Sequence, residues 1–130
     1  MTLIEDVPQL EGQVIQMGPY RQEYSAQDHC FLHNYTPAQA ITIIDTVPED
    51  SFHWPAVSWF KVEQYAEALS DGKWTTVGQY FHPIRFNSEG ILLTGIQRIM
   101  ACYLANLPMP CWTVDHGQTW FKGDQWVHPM

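Results

Sequence analysis

The clearest hydrophobic pattern in the chain predicts an amphipathic helix between residues 59 and 72. Apolar residues recur there at the spacing that places them on one face of an α-helix. Charged and polar residues fill the opposite face, and Gly72 supplies a C-terminal stop. The apolar stripe consists of Trp59, Val62, Ala66 and Leu69.

A second stripe of the same kind follows Gly95 and predicts a helix that ends before Pro108. Thr94 and Gln97 have the spacing of a capping box, in which a hydroxyl and an amide satisfy the unpaired N–H groups at the start of a helix. The apolar face consists of Ile96, Ile99, Met100, Tyr103 and Leu107.

Residues 37–46 form a third predicted helix, although their propensities point both ways. The segment "AITIIDTV" is rich in β-branched residues and favours a strand. The start signal favours a helix, because Thr36 offers a cap hydroxyl, Pro37 occupies the first helical position and Gln39 completes a capping box. We therefore expect a helix that starts at Pro37.

Short strands are predicted around these helices. The segments "FHPIRF" and "GILLT" flank a polar turn at residues 87–90 and predict a β-hairpin. "PEDSFHWP" contains two prolines and is predicted to be a loop, and the C-terminal residues can form a hairpin around Gly123. Further strands are predicted in "QVIQM", "HCFLHNY" and "CWTV". This order of elements predicts a small α+β domain with helices packed on a short mixed sheet.

Length and composition fit a single domain with a sizeable core. The chain has 130 residues, of which 45% are hydrophobic. No run approaches the roughly 18 apolar residues that span a membrane. The N-terminus "MTLIEDVPQLEG" is acidic and lacks a basic region followed by an apolar one. We therefore expect a cytoplasmic protein that does not contact membranes.

The net charge of −8 is unevenly distributed along the chain. Residues 1–60 contain eight acids and one base, which gives −7, whereas residues 61–130 contain six acids and five bases, which gives −1. A general duplex-DNA binder needs a basic face to displace counterions from phosphates, so duplex DNA is not an expected partner. An acidic surface can keep the protein soluble or attract a basic partner.

The reactive side chains do not form a recognised catalytic or metal motif. Three cysteines, Cys30, Cys102 and Cys111, lack CxxC spacing and are expected to be buried free thiols. Among six histidines only His29 and His33 have an i, i+4 spacing, and they lie in a predicted strand. The GxSxG, HExxH and GxxxxGK[ST] patterns are missing from the sequence. We predict no metal site.

The start of the helix after the hairpin has the composition of an anion site. A helix that begins directly after a strand offers unpaired N–H groups and the positive end of its dipole. Gly95 has no side chain to block an anion, and a cation at Arg98 opposes the dipole unless an anion lies nearby. The alternative is that Arg98 pairs with a surface acid such as Glu89 or Asp71 and that Gln97 is structural.

A series of short elements in fixed order resembles a known superfamily. The elements are the capped Thr36-Pro37 start, Gly72-Lys73-Trp74, the segments "PIRF" and "NSEGIL", and Thr94-Gly95-Ile96-Gln97-Arg98. This series is similar to the ParB/sulfiredoxin-like superfamily, in particular its small phage and prophage members with ParB-like nuclease domains. The resemblance covers residues 34–114, which would form the core, with residues 1–33 and 115–130 as N-terminal and C-terminal extensions.

The resemblance implies a domain of phage or mobile-element type that binds a phosphate-bearing ligand or a nucleotide. The implied binding residues are Thr94, Gly95, Ile96, Gln97 and Arg98. Family members commonly have Asp-Gly-Gln-His-Arg here, so the glycine and arginine are retained, while Thr94 and Gln97 replace the acid and the imidazole. We therefore expect binding without catalysis, no catalytic residue and no cofactor beyond a nucleotide ligand. An active nuclease or nucleotidase is an alternative.

An acidic loop indicates a different function. Glu49 and Asp50 precede two aromatic residues, Phe52 and Trp54. Aromatic anchors ringed by polar residues are typical of binding hot spots. The chain would then be an acidic interaction or inhibitor protein, for example phage-borne, that binds a basic host protein. In the opposing interpretation Phe52 and Trp54 fold into the core and the acids only maintain solubility.

Overall fold

The computed structural model describes the backbone of residues 14–17, 20–23, 30–76 and 82–128, and the side chains of residues 30–76 and 82–128. These residues form an α+β arrangement, so the predicted fold class is confirmed. The strands are β1 (Val14–Met17), β2 (Tyr20–Glu23), β3 (Cys30–Tyr35), β4 (Ile84–Phe86), β5 (Leu92–Thr94), β6 (Met109–Asp115), β7 (Phe121–Lys122) and β8 (Gln125–Trp126). The helices are α1 (Pro37–Thr46), α2 (His53–Ala56), α3 (Trp59–Ser70) and α4 (Ile96–Ala105).

A mixed four-stranded sheet with the order β3-β6-β4-β5 forms the centre of the fold. Strand β6 pairs antiparallel with β3 and parallel with β4, and β5 pairs antiparallel with β4. The parallel pair requires a crossover, because the end of β4 lies far from the start of β6. Strand β5 and helix α4 make up this crossover. Strands β1 and β2 form a separate hairpin, as do β7 and β8.

One face of the sheet is apolar and lies in the main core. Cross-strand partners point to the same side of a sheet, so the pairs Phe31–Thr113 and Tyr35–Met109 share this face. Helix α4 packs against both α1 and α3. The fully or almost fully buried side chains of the core include Tyr35, Ile43, Ile84, Phe86, Ile99, Met109, Cys111 and Trp120.

The predicted start of helix α1 is confirmed in detail. The Thr36 hydroxyl accepts a hydrogen bond from the Gln39 backbone N–H at 3.1 Å. The Gln39 side-chain oxygen accepts one from the Thr36 backbone N–H at 3.2 Å, which completes the capping box. The same Gln39 oxygen lies 2.8 Å from the His33 ring Nε2. These contacts favour a helix in a segment whose β-branched residues would otherwise favour a strand.

Helix α4 is shorter than its apolar stripe predicts. It ends at Ala105, because Asn106 adopts a left-handed conformation with φ of 56° and caps the helix. Leu107 therefore lies beyond the helix, and Tyr103 is 53% exposed. The buried face of α4 instead includes Ala101 and Cys102, so Tyr103 and Leu107 were wrongly placed in the core stripe. The small side chain of Ala101 allows α3 to pack closely, whereas Cys102 belongs to the main core.

Two predictions around residues 48–59 were wrong. Residues predicted as a loop contain the one-turn helix α2, in which the buried His53 ring donates its Nε2 hydrogen to the Leu92 carbonyl at 2.7 Å. This contact to the sheet stabilises a turn that the prolines would otherwise leave irregular. Trp59 was assigned to the apolar stripe of α3 but is 63% exposed. It occupies the first helical position, where the side chain projects beyond the core.

Both predicted hairpins in the second half are confirmed, and residues 115–128 contribute to the core. Trp120 and Phe121 are almost fully buried. The backbone N–H groups of both residues donate to the Asp115 carboxylate, at 2.6 Å and 3.0 Å. Gly123 adopts a left-handed conformation in the turn between β7 and β8. The segment predicted as a C-terminal extension is therefore an integral part of the main core.

Burial suppresses the ionisation of all three cysteines, which are free thiols. It raises the pKa of Cys30 and Cys111 to about 12 and that of Cys102 to about 11. Cys102 and Cys111 are buried as expected, whereas Cys30 is partly exposed. Because thiolates are the nucleophiles, none of the three is poised for reaction at neutral pH.

Some predictions lie outside the described residues. These are His29 and most of the N-terminal extension at residues 1–33. Within the described part of the chain no helix is long and apolar enough to cross a membrane. The same residues contain no cluster of three or more histidine, cysteine, aspartate or glutamate side chains able to hold a metal ion.

We expect Asp115→Ala to destabilise the protein by about 2–4 kcal/mol, because two buried backbone N–H groups lose a charged acceptor. The free energy of unfolding in urea measures this effect. Glu63→Ala removes an exposed carboxylate from α3 and should change it by less than about 0.5 kcal/mol. Equal values for the two variants would show that Asp115 does not anchor the β6–β7 connection.

Candidate functional site

The corner between β5 and α4 depends on a glycine. Gly95 is the N-cap of α4 and has φ of 105°, a left-handed conformation that side chains rarely adopt. A Cβ atom at this position would lie 2.7 Å from Cγ1 of Ile84, which is a fully buried residue of β4. Because the backbone packs directly on the sheet, α4 starts within one residue of β5.

The capping box predicted at Thr94 and Gln97 is not formed. Gly95 rather than Thr94 is the N-cap, and no side chain caps α4. The Thr94 hydroxyl donates to the Pro83 carbonyl at 2.9 Å, while the Gln97 side-chain oxygen accepts from the Ser58 backbone N–H at 2.5 Å. The left-handed glycine shifts the helix start by one residue, so the spacing of the motif no longer fits the cap. The first N–H groups of α4 receive no side-chain cap from the described residues.

Arg98 is half-buried and lies beside the sheet. Burial raises the pKa of the Cys111 thiol, and the Arg98 charge and a hydrogen bond from Arg98 oppose that rise. Arg98 also lines the groove described below, whereas Glu89 and Asp71 do not. The structure therefore places Arg98 between the core and the groove.

An open groove of about 990 Å³ runs along this corner. Helices α2 and α3 form one side, and the end of β5 with the start of α4 forms the other. All five residues predicted to bind a phosphate-bearing ligand line it, which are Thr94, Gly95, Ile96, Gln97 and Arg98. The structure thus brings the predicted binding residues to a cavity large enough for an organic ligand.

The charge of the groove differs in sign from that of the whole chain. Lys61, Lys73 and Arg98 line it, which are three of the six lysine and arginine residues of the protein. None of the 14 acids appears among the described residues that line the groove. His82 also lines the groove.

Sequence reasoning missed the lysines of the groove. Lys61 lies on the polar side of the α3 pattern, where a solvated charge is the default interpretation. Lys73 directly follows the glycine that ends the predicted helix, and the sequence indicates it only as part of the Gly72-Lys73-Trp74 element. No local pattern indicates that both line the same groove as Arg98, because only the packing of α3 against α4 brings these segments together.

The four residues predicted as a partner surface separate in the structure. Glu49 and Asp50 are exposed and do not line the groove. Phe52 is 73% exposed and lines the groove, with its ring against that of His53. Trp54 packs partly against the main core and donates its ring N–H to the Pro48 carbonyl at 2.8 Å. Of these two aromatic residues, Phe52 is exposed to solvent, as a partner surface requires, whereas Trp54 is partly buried.

Comparisons with protein families, with curated proteins and with solved structures found no match. The assignment of a function therefore depends on the chemistry of the groove.

Gly95→Ala should lower the free energy of unfolding by about 2–4 kcal/mol, since backbone strain and overpacking against Ile84 add together. Gly72→Ala is the matched control. Gly72 also has a positive φ, of 69°, but an added Cβ would meet nothing within 4 Å. Its cost should stay near 1 kcal/mol, which is roughly the strain alone. Urea unfolding of the two variants measures the difference, and equal costs would contradict the close packing of the corner.

Proposed function

We propose that the groove binds an anionic ligand that bears a phosphate or a chemically similar group, and that nucleotides are among the candidates. One observation carries this proposal. Three cations and no described carboxylate line the groove of a protein whose net charge is −8. A cluster of like charges is unfavourable unless a ligand or counterions neutralise it. A bound anion would offset the electrostatic repulsion between these cations, which supports a binding role.

The surroundings of the cations favour an organic anion. The described groove residues include three aromatic rings, those of Phe52, Tyr65 and Trp74, and apolar side chains such as Leu93. Ligand sites commonly combine an apolar lining with a small number of convergent polar groups. Tyr65 and Trp74 lie edge to face with ring centroids 5.8 Å apart, and the Trp74 ring N–H donates to the Pro110 carbonyl. Those two rings are therefore held in place before a ligand binds.

We infer binding without turnover. General base catalysis and Mg²⁺ coordination commonly use carboxylates, and the described groove residues include none. His53 is buried and its Nε2 hydrogen is committed to the Leu92 carbonyl, which leaves His82 as the exposed imidazole of the described groove. The relation to ParB/sulfiredoxin-like domains and a phage origin stay predictions, as does the alternative of an active nuclease or nucleotidase.

The proposal predicts that phosphate-bearing ligands raise the melting temperature. A ligand at about ten times its Kd adds about 1.4 kcal/mol to the stability of the folded state, which corresponds to a rise of about 4 °C for a domain of this size. Lys61→Gln combined with Lys73→Gln should weaken binding about tenfold or more, since charge-assisted contacts are lost. Lys122→Gln is the matched control, because Lys122 is an exposed lysine of β7 outside the groove.

Thermal shift assays measure the melting temperature, and titration calorimetry measures the Kd. The ligands are inorganic phosphate, phenyl phosphate and nucleoside triphosphates. Phosphate release from the triphosphates and cleavage of DNA should stay at background. Equal binding by the double variant and the Lys122 control, or no shift with any of the ligands, would contradict the proposal.

A second function is favoured by exposed aromatic side chains at the start of α3. Trp59 is 63% exposed and Phe60 is 69% exposed, and the exposed Phe52 precedes them at the N-cap of α2. The acids Glu49 and Asp50 are exposed a few residues earlier. Large exposed aromatic side chains are typical of binding surfaces, and acidic neighbours favour a basic protein partner. We infer that residues 49–60 are the contact surface if the protein acts as an interaction or inhibitor protein.

The interaction hypothesis predicts that Trp59→Ser with Phe60→Ser releases a basic host protein that the wild type retains at low salt. Tyr103→Ser is the control, because Tyr103 is an exposed aromatic residue on α4. Salt should also release the partner, since screening limits the reach of charges to about 8 Å at physiological ionic strength. Quantitative pull-downs from the host make the comparison. Identical bound proteins for wild type and the double variant would contradict this surface.

A further inference from the structure

The side chain of Gln97 has a defined orientation in the groove. Its Oε1 accepts a hydrogen bond from the backbone N–H of Ser58 at 2.5 Å. A backbone N–H can only donate, so the oxygen of the amide must face Ser58 and the nitrogen must lie on the other side. The orientation of this amide therefore follows from its partner.

The amide nitrogen of Gln97 is available to a ligand. Gln97 is half-buried and lines the groove. Among residues 30–76 and 82–128 no acceptor takes a hydrogen bond from its Nε2. Nε2 is also absent from the buried polar atoms that lack a partner in this part of the chain, so it remains open to solvent. Two N–H donors thus stand next to Arg98 at a fixed position.

We propose that Gln97 is a specificity-determining residue that donates to the ligand and makes this part of the groove select a fully ionised tetrahedral oxyanion. The proposal rests on the anion-binding function and names the class of group that would occupy the site. The amide of Gln97 supplies neutral donors, while Arg98, Lys61 and Lys73 supply charged ones. No carboxylate among the described groove residues can accept a hydrogen bond from a protonated oxygen.

Selection against protonated ligands follows from this set of donors. A phosphate monoester that retains a P–OH group carries one negative charge fewer than the dianion, so Lys61, Lys73 and Arg98 attract it less strongly. A phosphate monoester dianion, like sulfate, has oxygens that only accept. The dianion is the main form of a monoester above its second pKa, which is about 6.

Gln97 also connects the two sides of the groove. Ser58 is the N-cap of α3, and its hydroxyl accepts from the Lys61 backbone N–H at 3.4 Å. The bond from Ser58 to Gln97 therefore ties the first turn of α3, which carries Lys61, to the first turn of α4, which carries Arg98. This link positions the two cations relative to each other without an ion pair.

Gln97→Glu separates the structural role of this residue from its role in binding. A glutamate retains an acceptor for the Ser58 N–H, and a negative charge in the first turn of α4 is favourable. It removes both N–H donors and places a carboxylate in the groove. We expect a melting temperature no lower than that of the wild type, and binding of sulfate and phenyl phosphate weakened by about tenfold or more.

Two further variants make the result interpretable. Gln64→Glu adds the same charge at an exposed position of α3 that does not line the groove, and its binding should stay within about twofold of wild type. Gln97→Ala leaves the Ser58 N–H without its acceptor and should lower the melting temperature. A melting temperature that Gln97→Ala leaves unchanged would overturn the positioning role even if no ligand binds.

The pH dependence of binding tests the ionisation state of the ligand. Phenyl phosphate should bind more weakly at about pH 5 than at about pH 8, because it gains a proton between these values. Sulfate should bind equally well or more tightly at the lower pH. The titratable side chains of the described groove are His53, Lys61, Tyr65, Lys73, His82 and Arg98. Because both ligands meet the same side chains, the comparison with sulfate isolates the ionisation of phenyl phosphate. Tighter binding of phenyl phosphate than of sulfate at about pH 8 would identify an organic monoester as the preferred source of the dianion.

The outcomes distinguish the two proposals. Wild-type protein that binds neither sulfate nor phenyl phosphate overturns the proposed function and this inference with it. Wild-type binding that Gln97→Glu leaves within about twofold overturns the role of Gln97 alone and leaves the anion groove intact. Phenyl phosphate binding that does not weaken at low pH overturns the selection of the dianion.

Discussion

The parallel pairing of β4 with β6 is the constraint from which the groove follows. Strand β6 lies inside the sheet, and its residues 111–115 are all buried, so its backbone groups require partners on both sides. A parallel neighbour cannot be reached by a tight turn, and the chain must cross over between β4 and β6. Strand β5 and helix α4 form that crossover, and Gly95 is the point where it changes direction. The corner that lines the groove is therefore a consequence of the sheet order.

The groove gathers cations from separate parts of a chain that is acidic overall. Lys61 comes from the first turn of α3, Lys73 follows the end of that helix, and Arg98 comes from α4. Their proximity depends on the contact of α3 with α4, whose small residues Ala66 and Ala101 permit close approach. Packing and electrostatics are thus coupled, since a change that separates the two helices also disperses the positive charge.

Local signals predicted much of the fold, and contacts between distant segments account for the rest. The capping box at Thr36 and the polar turn at residues 87–90 act over a few residues, so the sequence alone indicated α1 and the β4–β5 hairpin. The same reasoning failed at Thr94, because a left-handed Gly95 packed on Ile84 moves the helix start, and Ile84 is eleven residues away. The five residues of the corner were predicted as one site and do share a groove. Lys61 and Lys73 could not be predicted, since their position depends on helix packing.

The hydrogen bond from His53 to the Leu92 carbonyl has a consequence for the surface of the sheet. Strand β5 is an edge strand, only three residues long, and Leu93 beside Leu92 is 38% exposed. An edge with free carbonyls and apolar side chains is a template on which a strand from another molecule can add. The His53 ring already occupies the outward carbonyl of Leu92. Helix α2 thereby satisfies a carbonyl group at the edge of the sheet that an added strand would otherwise use.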